Sequence, residues 1–240
     1  MNELLLFVSA LVSAAFVIAA WKLGRERLYM VITVFLILIS SVGGKIVLFF
    51  GHATNTGNIF YASVFLATYF LIERYGRREG LYSIWVGVVA VVFFSILARL
   101  TALLVGTEMT ATLNDAVAIA FSPLPRLALA SLAAYAVSQT INVHLYIYLK
   151  KKMEGRRLWL RANLSNVAAQ LVDSVIFFTI AFWGVVSFDS VSGIIVTGLV
   201  IKIVYMMLAS PLLYLNAFEQ DEDAEGNTVF QVRLPKSRLF

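Results

Sequence analysis

The chain has 240 residues, 60% hydrophobic and only 14% charged, with mean hydropathy +0.86, net charge +5 and pI near 9.5. Soluble domains run nearer ~25% charged and ~45–50% apolar, so this is the composition of an integral membrane protein. With no cysteine and two histidines, His52 and His144, it excludes a disulfide framework, thiolate chemistry and a His-based metal cluster.

In chain order, apolar segments predict seven membrane spans, at about 4–21, 28–50, 58–73, 81–105, 123–149, 160–184 and 191–216. The expected fold is therefore all-α, a polytopic membrane helix bundle. The first span follows Glu3 with no Lys or Arg before it, which argues against a secretory signal. The third is short, so its helix should run past both ends of the apolar stretch. Residues 113–122 predict a short interfacial or re-entrant helix before Pro123 and Pro125. Residues 1–216 form the transmembrane domain. Residues 217–240, which open on Glu219, Asp221, Glu222, Asp223 and Glu225, form a solvated, partly disordered cytoplasmic tail.

Charge alternates between loops. Lys22, Arg25 and Arg27 follow span one, Arg74, Arg77 and Arg78 follow span three, and Lys150, Lys151, Lys152, Arg156 and Arg157 follow span five. The intervening loops near 51–57, 106–115 and 185–190 carry no Lys or Arg. The positive-inside rule then puts the N-terminus outside and the C-terminus in the cytoplasm of the cell membrane. The basic residues are thus used by lipid headgroups, and no nucleic acid is an expected partner.

The polar residues inside the spans carry the functional signal. Asn163, Asn166, Gln170 and Asp173 advance by three, four and three residues, which puts all four on one helix face. Tyr135, Gln139 and Asn142 do the same in span five. Asp173 and Lys202 both lie near mid-span, where a charge costs at least a few kcal/mol unless it faces a partner, a cavity or a substrate. They read either as a structural ion pair or as the core of a transport site, and the amides either as helix–helix glue or as substrate ligands. Lys45 either snorkels outward or lies where Gly43-Gly44 opens the backbone. Arg99 reads as a snorkelling or structurally paired residue, Arg126 as an interfacial anchor or a substrate contact, Glu73, followed by Arg74, as half of an interfacial ion pair or a proton carrier, and His144 as a structural hydrogen-bonder or a proton carrier. The candidate substrate-binding set is Lys45, Arg126, Tyr135, Gln139, Asn142, Asn163, Gln170, Asp173 and Lys202.

One stretch is more specific. Pro125-Arg126, Ala130-Ser131, Ala134-Tyr135, Gln139, Trp159-Leu160-Arg161, Asn163, Ser165, Gln170, Asp173, Phe177-Phe178 and Phe182 resemble the queuosine precursor transporters. Lys45, Gly51, Glu73-Arg74-Tyr75-Gly76, Lys202 and Pro211 extend the resemblance over about residues 30–215. The resemblance implies uptake of a 7-deazaguanine base, 7-cyano- or 7-aminomethyl-7-deazaguanine, by a six-span core to which span one is an addition. It also implies two departures: many members carry Asp where this chain has Tyr69, and Asp where it has Asn142. Such a base offers two adjacent N–H donors, which suit a carboxylate, while its other edges suit amide or cationic groups.

Other readings stay open at this level. The chain could be the substrate-capture subunit of an ATP-driven vitamin-type importer, with Ala15 and Ala19 at the spacing of a helix-docking face, or a transporter of another nucleobase-like metabolite. The bilayer is a partner in each reading, and a homo-oligomer is allowed by the composition. No Walker loop, HExxH or GxSxG pattern is present, so neither an ATPase nor another enzyme is expected, and no cofactor is implied.

Overall fold

The computed structural model describes residues 1–121, 125–182, 188–222 and 228–232. Eight α-helices dominate these residues: α1 (Asn2–Leu23), α2 (Arg25–Ser41), α3 (Gly57–Tyr75), α4 (Arg77–Ala102), α5 (Ala111–Ala120), α6 (Pro125–Lys152), α7 (Leu158–Phe182) and α8 (Phe188–Ala209). Two antiparallel hairpins, β1 (Ile46–Phe49) with β2 (His52–Asn55) and β3 (Phe218–Glu222) with β4 (Thr228–Val232), depart from the all-α expectation.

Among the described residues, four helices are long and apolar enough to cross a membrane: Asn2–Leu23, Arg77–Ala102, Leu158–Ala181 and Ile195–Leu215. Trp85, Val89, Phe93 and Ile96 make an exposed apolar stripe on α4, the arrangement of a helix whose outer face meets lipid. Helix α3 is different. Almost all of its residues from Gly57 to Ile72 are buried. Its polar groups, Asn58, Tyr61, Ser63, Thr68, Tyr69 and Glu73, lower its hydropathy because they face protein. Its backbone packs closely on α1, α2, α4 and α8. It meets α6 and α7 through long side chains instead.

The basic turns gather at one end of the bundle. Gly24 alone joins α1 to α2 and Gly76 alone joins α3 to α4, at φ 109° and 94° with ψ near 176° and 177°. That backbone is open essentially to glycine only. Arg74 then donates to the Trp21 carbonyl at 2.9 Å, Arg25 approaches Glu79 at 3.7 Å, and Arg77 meets His144 at 2.7 Å.

Span two ends early. Helix α2 stops at Ser41 rather than running to residue 50. A Cβ on Gly43 would sit 2.4 Å from the Ile39 carbonyl oxygen, and the Gly57 amide bonds the Gly43 carbonyl at 3.1 Å, so two backbones touch here. The β-formers Ile46-Val47-Leu48-Phe49 then turn back through Phe50-Gly51, both with positive φ (48° and 79°), the two-residue turn that suits strand twist. Span three does run past its apolar stretch, and α5 forms with none of its residues buried, as an interfacial helix would. Span seven changes at Ser210 into a 3₁₀ segment, Ser210–Ala217, because Pro211 lacks the amide a continuing α-helix needs.

Candidate functional site

Asp173, on α7, is where α3, α6 and α8 converge. Its Oδ1 accepts from the Tyr61 hydroxyl of α3 at 2.6 Å and from the Ser138 hydroxyl of α6 at 3.4 Å. Its Oδ2 takes the Lys202 ammonium of α8 at 3.2 Å. The same ammonium lies 4.5 Å from the centre of the Tyr61 ring. Tyr135 stands edge-on to Tyr61, with ring centres 6.3 Å apart. Both charges are nearly buried, with side chains 11% and 13% exposed, and they form an ion pair, a contact that both readings of their mid-span depth allow.

One to two turns toward the Arg-rich end, α6 and α7 face each other with amides. Gln139, Asn142, Asn166 and Gln170 are all 0% exposed. Asn142 donates to Gln139 Oε1 at 3.3 Å, and Gln170 donates to Asn166 Oδ1 at 3.5 Å, the limit of a hydrogen bond. Gln139 Nε2, Asn166 Nδ2, Gln170 Oε1 and Asn163 Oδ1 have no hydrogen-bond partner among the described residues. Each such buried atom costs about 1–3 kcal/mol. Donors and acceptors left open on two packed helices, beside a carboxylate, are what a hydrogen-bonding ligand would complete.

Tyr69 closes this layer. Its hydroxyl lies 2.7 Å from Asn142 Oδ1, 2.9 Å from the Ala162 carbonyl and 3.0 Å from Ser165 Oγ. The two positions that depart from the queuosine precursor pattern therefore touch each other. Carboxylates at both would compete for one proton; Tyr69 and Asn142 instead make a neutral bond.

A second charged cluster lies one turn further. Glu73 accepts from the Tyr146 hydroxyl at 2.8 Å, from Lys150 at 3.1 Å and from Arg161 at 2.8 Å. Arg161, 1% exposed, also donates to the Tyr146 oxygen and to the Gly155 and Arg156 carbonyls of the α6–α7 turn. Glu73 is thus an ion-pair residue as expected, but with Arg161 and Lys150 rather than its neighbour Arg74.

The structure brings Tyr135, Gln139, Asn142, Gln170, Asp173 and Lys202 to one region. Asn163 is buried on the same face, but it is drawn toward Trp159 O and Ser210 Oγ, both at 2.8 Å. Lys45 is not in a span. It is exposed in the turn before β1, because the Gly43-Gly44 break ends α2 first. The Arg126 side chain lies outside the described residues. His144 has both ring nitrogens engaged: its Nδ1 pairs with the Thr140 carbonyl and its Nε2 with Arg77, both at 2.7 Å. Sequence reasoning missed Tyr61 and Ser138. The signal for Tyr61 was present: Tyr61, Phe65, Tyr69 and Glu73 advance in steps of four along α3. A surface cleft of about 720 Å³, lined by residues such as Arg25, Tyr29, Arg78, Glu79 and Trp85, shares no residue with this region.

A family profile described as "Putative vitamin uptake transporter" matches residues 55–216, which include every candidate site residue except Lys45. The chain is 33% identical over 176 residues to the "Probable queuosine precursor transporter" of Bacillus subtilis (strain 168), covering 71% of this chain and 74% of that protein. It is 40% identical over 58 residues to the "Queuosine precursor transporter" of Escherichia coli (strain K12), covering 24% and 25%. No solved structure matches it. On the profile match and the extent of the Bacillus similarity, the chain belongs to the vitamin uptake transporter family, whose members are transporters rather than enzymes.

Proposed function

We propose that this protein imports a queuosine precursor, 7-cyano- or 7-aminomethyl-7-deazaguanine, through a site centred on Asp173 near the bilayer midplane. The observation that carries the reading is the buried Asp173 carboxylate beside unpaired amide atoms of Gln139, Asn166 and Gln170. The carboxylate accepts the paired N–H groups of the guanine-type edge. The amides take the remaining donors and acceptors, and analogues that leave them unpaired are rejected. Lys202 neutralises Asp173 when the site is empty. In this reading all seven long helices span the bilayer, the Arg-rich turns face the cytoplasm, and the substrate passes as α3 parts from α6 and α7. The names of the Bacillus and Escherichia relatives support the substrate class.

The test is uptake of labelled 7-cyano-7-deazaguanine by cells expressing the chain, together with ligand-induced thermal stabilisation of the purified protein. Uptake with preference over riboflavin, biotin and thiamine is expected. Binding of a different metabolite at micromolar levels, with no response to any 7-deazaguanine, overturns the substrate assignment. A second reading, capture subunit of an ATP-driven importer, draws on Ala15 and Ala19, which are both exposed on α1 and free to receive a partner helix or a second copy. Uptake by the lone chain in liposomes decides against it.

A further inference from the structure

A planar base bound at Asp173 needs a surface for its ring face as well as partners for its edges. The aromatic residues along the buried face of α3 differ in what covers them. Tyr69 is stacked on Tyr146, ring centres 4.7 Å apart and 29° between planes, and its hydroxyl is held by partners on α6 and α7. Its ring cannot be uncovered without dismantling that packing. Tyr61 is covered differently. A face of its ring carries the Lys202 ammonium at 4.5 Å, on a flexible four-carbon stem. Tyr135 approaches it edge-on, at 72° and 6.3 Å, and Phe65 meets it tilted, at 57° and 5.5 Å, so neither ring stacks on it face to face.

Lys202 therefore makes two contacts at once, with the Tyr61 ring and with Asp173 Oδ2 at 3.2 Å. A guanine-type base would make the same two: its face on an aromatic ring and its N–H edge on a carboxylate. Resting on the reading of Asp173 as the edge-binding group, we infer that the Tyr61 ring is the stacking platform for the substrate and that Lys202 covers it in the empty site. Substrate entry moves the ammonium off the ring face. The Tyr61 hydroxyl stays on Asp173 Oδ1 and on Ser138, so the platform and the carboxylate are held in one orientation. The ring stacks and the hydroxyl positions, and these two roles separate by substitution.

The experiment measures the affinity of purified full-length protein for 7-cyano-7-deazaguanine in wild type, Tyr61→Phe and Tyr61→Leu, with the melting temperature of each ligand-free variant as the folding control. Tyr61→Phe keeps the ring and is expected to bind within about threefold of wild type, the size of a modest hydrogen-bond loss. Tyr61→Leu keeps bulk without the π face and is expected to bind at least about tenfold more weakly, within the usual worth of a base–aromatic contact. Tyr61→Met serves the same purpose if the Leu variant does not fold. Equal weakening in Phe and Leu overturns the platform and leaves Tyr61 as a positioning group for Asp173. Wild-type affinity in the Leu or Met variant overturns both roles while the function proposed above stands. Absence of binding by wild type removes that function and this inference together.

Discussion

Two clusters in this bundle are built from the same parts and end in different states. Each joins an acidic residue, a cation and a tyrosine from three helices: Asp173 of α7 with Lys202 of α8 and Tyr61 of α3, and Glu73 of α3 with Arg161 of α7 and Tyr146 of α6. At Glu73 the hydrogen bonding closes on itself. Arg161 is a rigid planar fork whose donors end on Glu73, the Tyr146 hydroxyl and two turn carbonyls. At Asp173 the cation is a flexible lysine, and the amides next along α6 and α7 keep unpaired atoms. What distinguishes the two is whether the surrounding polar atoms are used up.

That difference can be broken from either side. The largest expected effect is on folding: Arg161→Met leaves the nearly buried Glu73 with the half-buried Lys150 as its remaining ion partner among the described residues and uncaps the α6–α7 turn. Losing one partner of a buried pair costs about 3–5 kcal/mol, so folded yield and melting temperature in detergent should fall sharply. Retention of wild-type stability would mean that the Glu73 cluster is no lock. Asp173→Asn should shift the balance the other way: the amide oxygen still accepts from Tyr61 and from the flexible Lys202, so the melting temperature should fall less than in Arg161→Met, while uptake drops by roughly a hundredfold, the value of charge-assisted hydrogen bonds to the substrate edge. Transport at the wild-type rate would remove Asp173 from the site. The double change Asp173→Asn/Lys202→Met sharpens the point. If it is milder than either single change in both uptake and stability, the two residues are only a structural pair.

Smaller effects follow at the edges of the site. Asn142→Asp places a carboxylate against the Tyr69 hydroxyl. It should change affinity for a 7-deazaguanine by about fivefold and make it depend on pH, because a carboxylate titrates and an amide does not. Unchanged, pH-independent binding in that variant would show that Asn142 does not contact the substrate. Orientation is testable without disturbing either cluster, since the chain has no cysteine of its own. An impermeant thiol reagent on intact cells should label His52→Cys, in the exposed β-hairpin, and leave Arg156→Cys, in the Arg-rich turn, untouched. The reverse pattern inverts the topology.

Several features were determined by the sequence alone. Apolar length and composition announced a membrane bundle, and alternating basic loops announced one charged end, which contacts such as Arg74 with Trp21 and Arg77 with His144 assemble. The ladder from Asn163 to Asp173 was legible because a helix repeats every 3.6 residues, whatever it packs against. The end of α2 was not. Gly43-Gly44 could have meant close packing inside a span or a broken backbone, and the choice depended on Gly57 meeting Gly43 from another element. The identity of the site's partners also needed the tertiary structure. Tyr61 lies 112 residues from Asp173 and Glu73 lies 88 from Arg161. Periodicity tells which residues share a face of one helix, but it carries no information on which face of another helix lies opposite. Only the packed bundle shows that one carboxylate is spent on an arginine while the other sits beside polar atoms still open, because hydrogen-bond satisfaction is a property of neighbours in space.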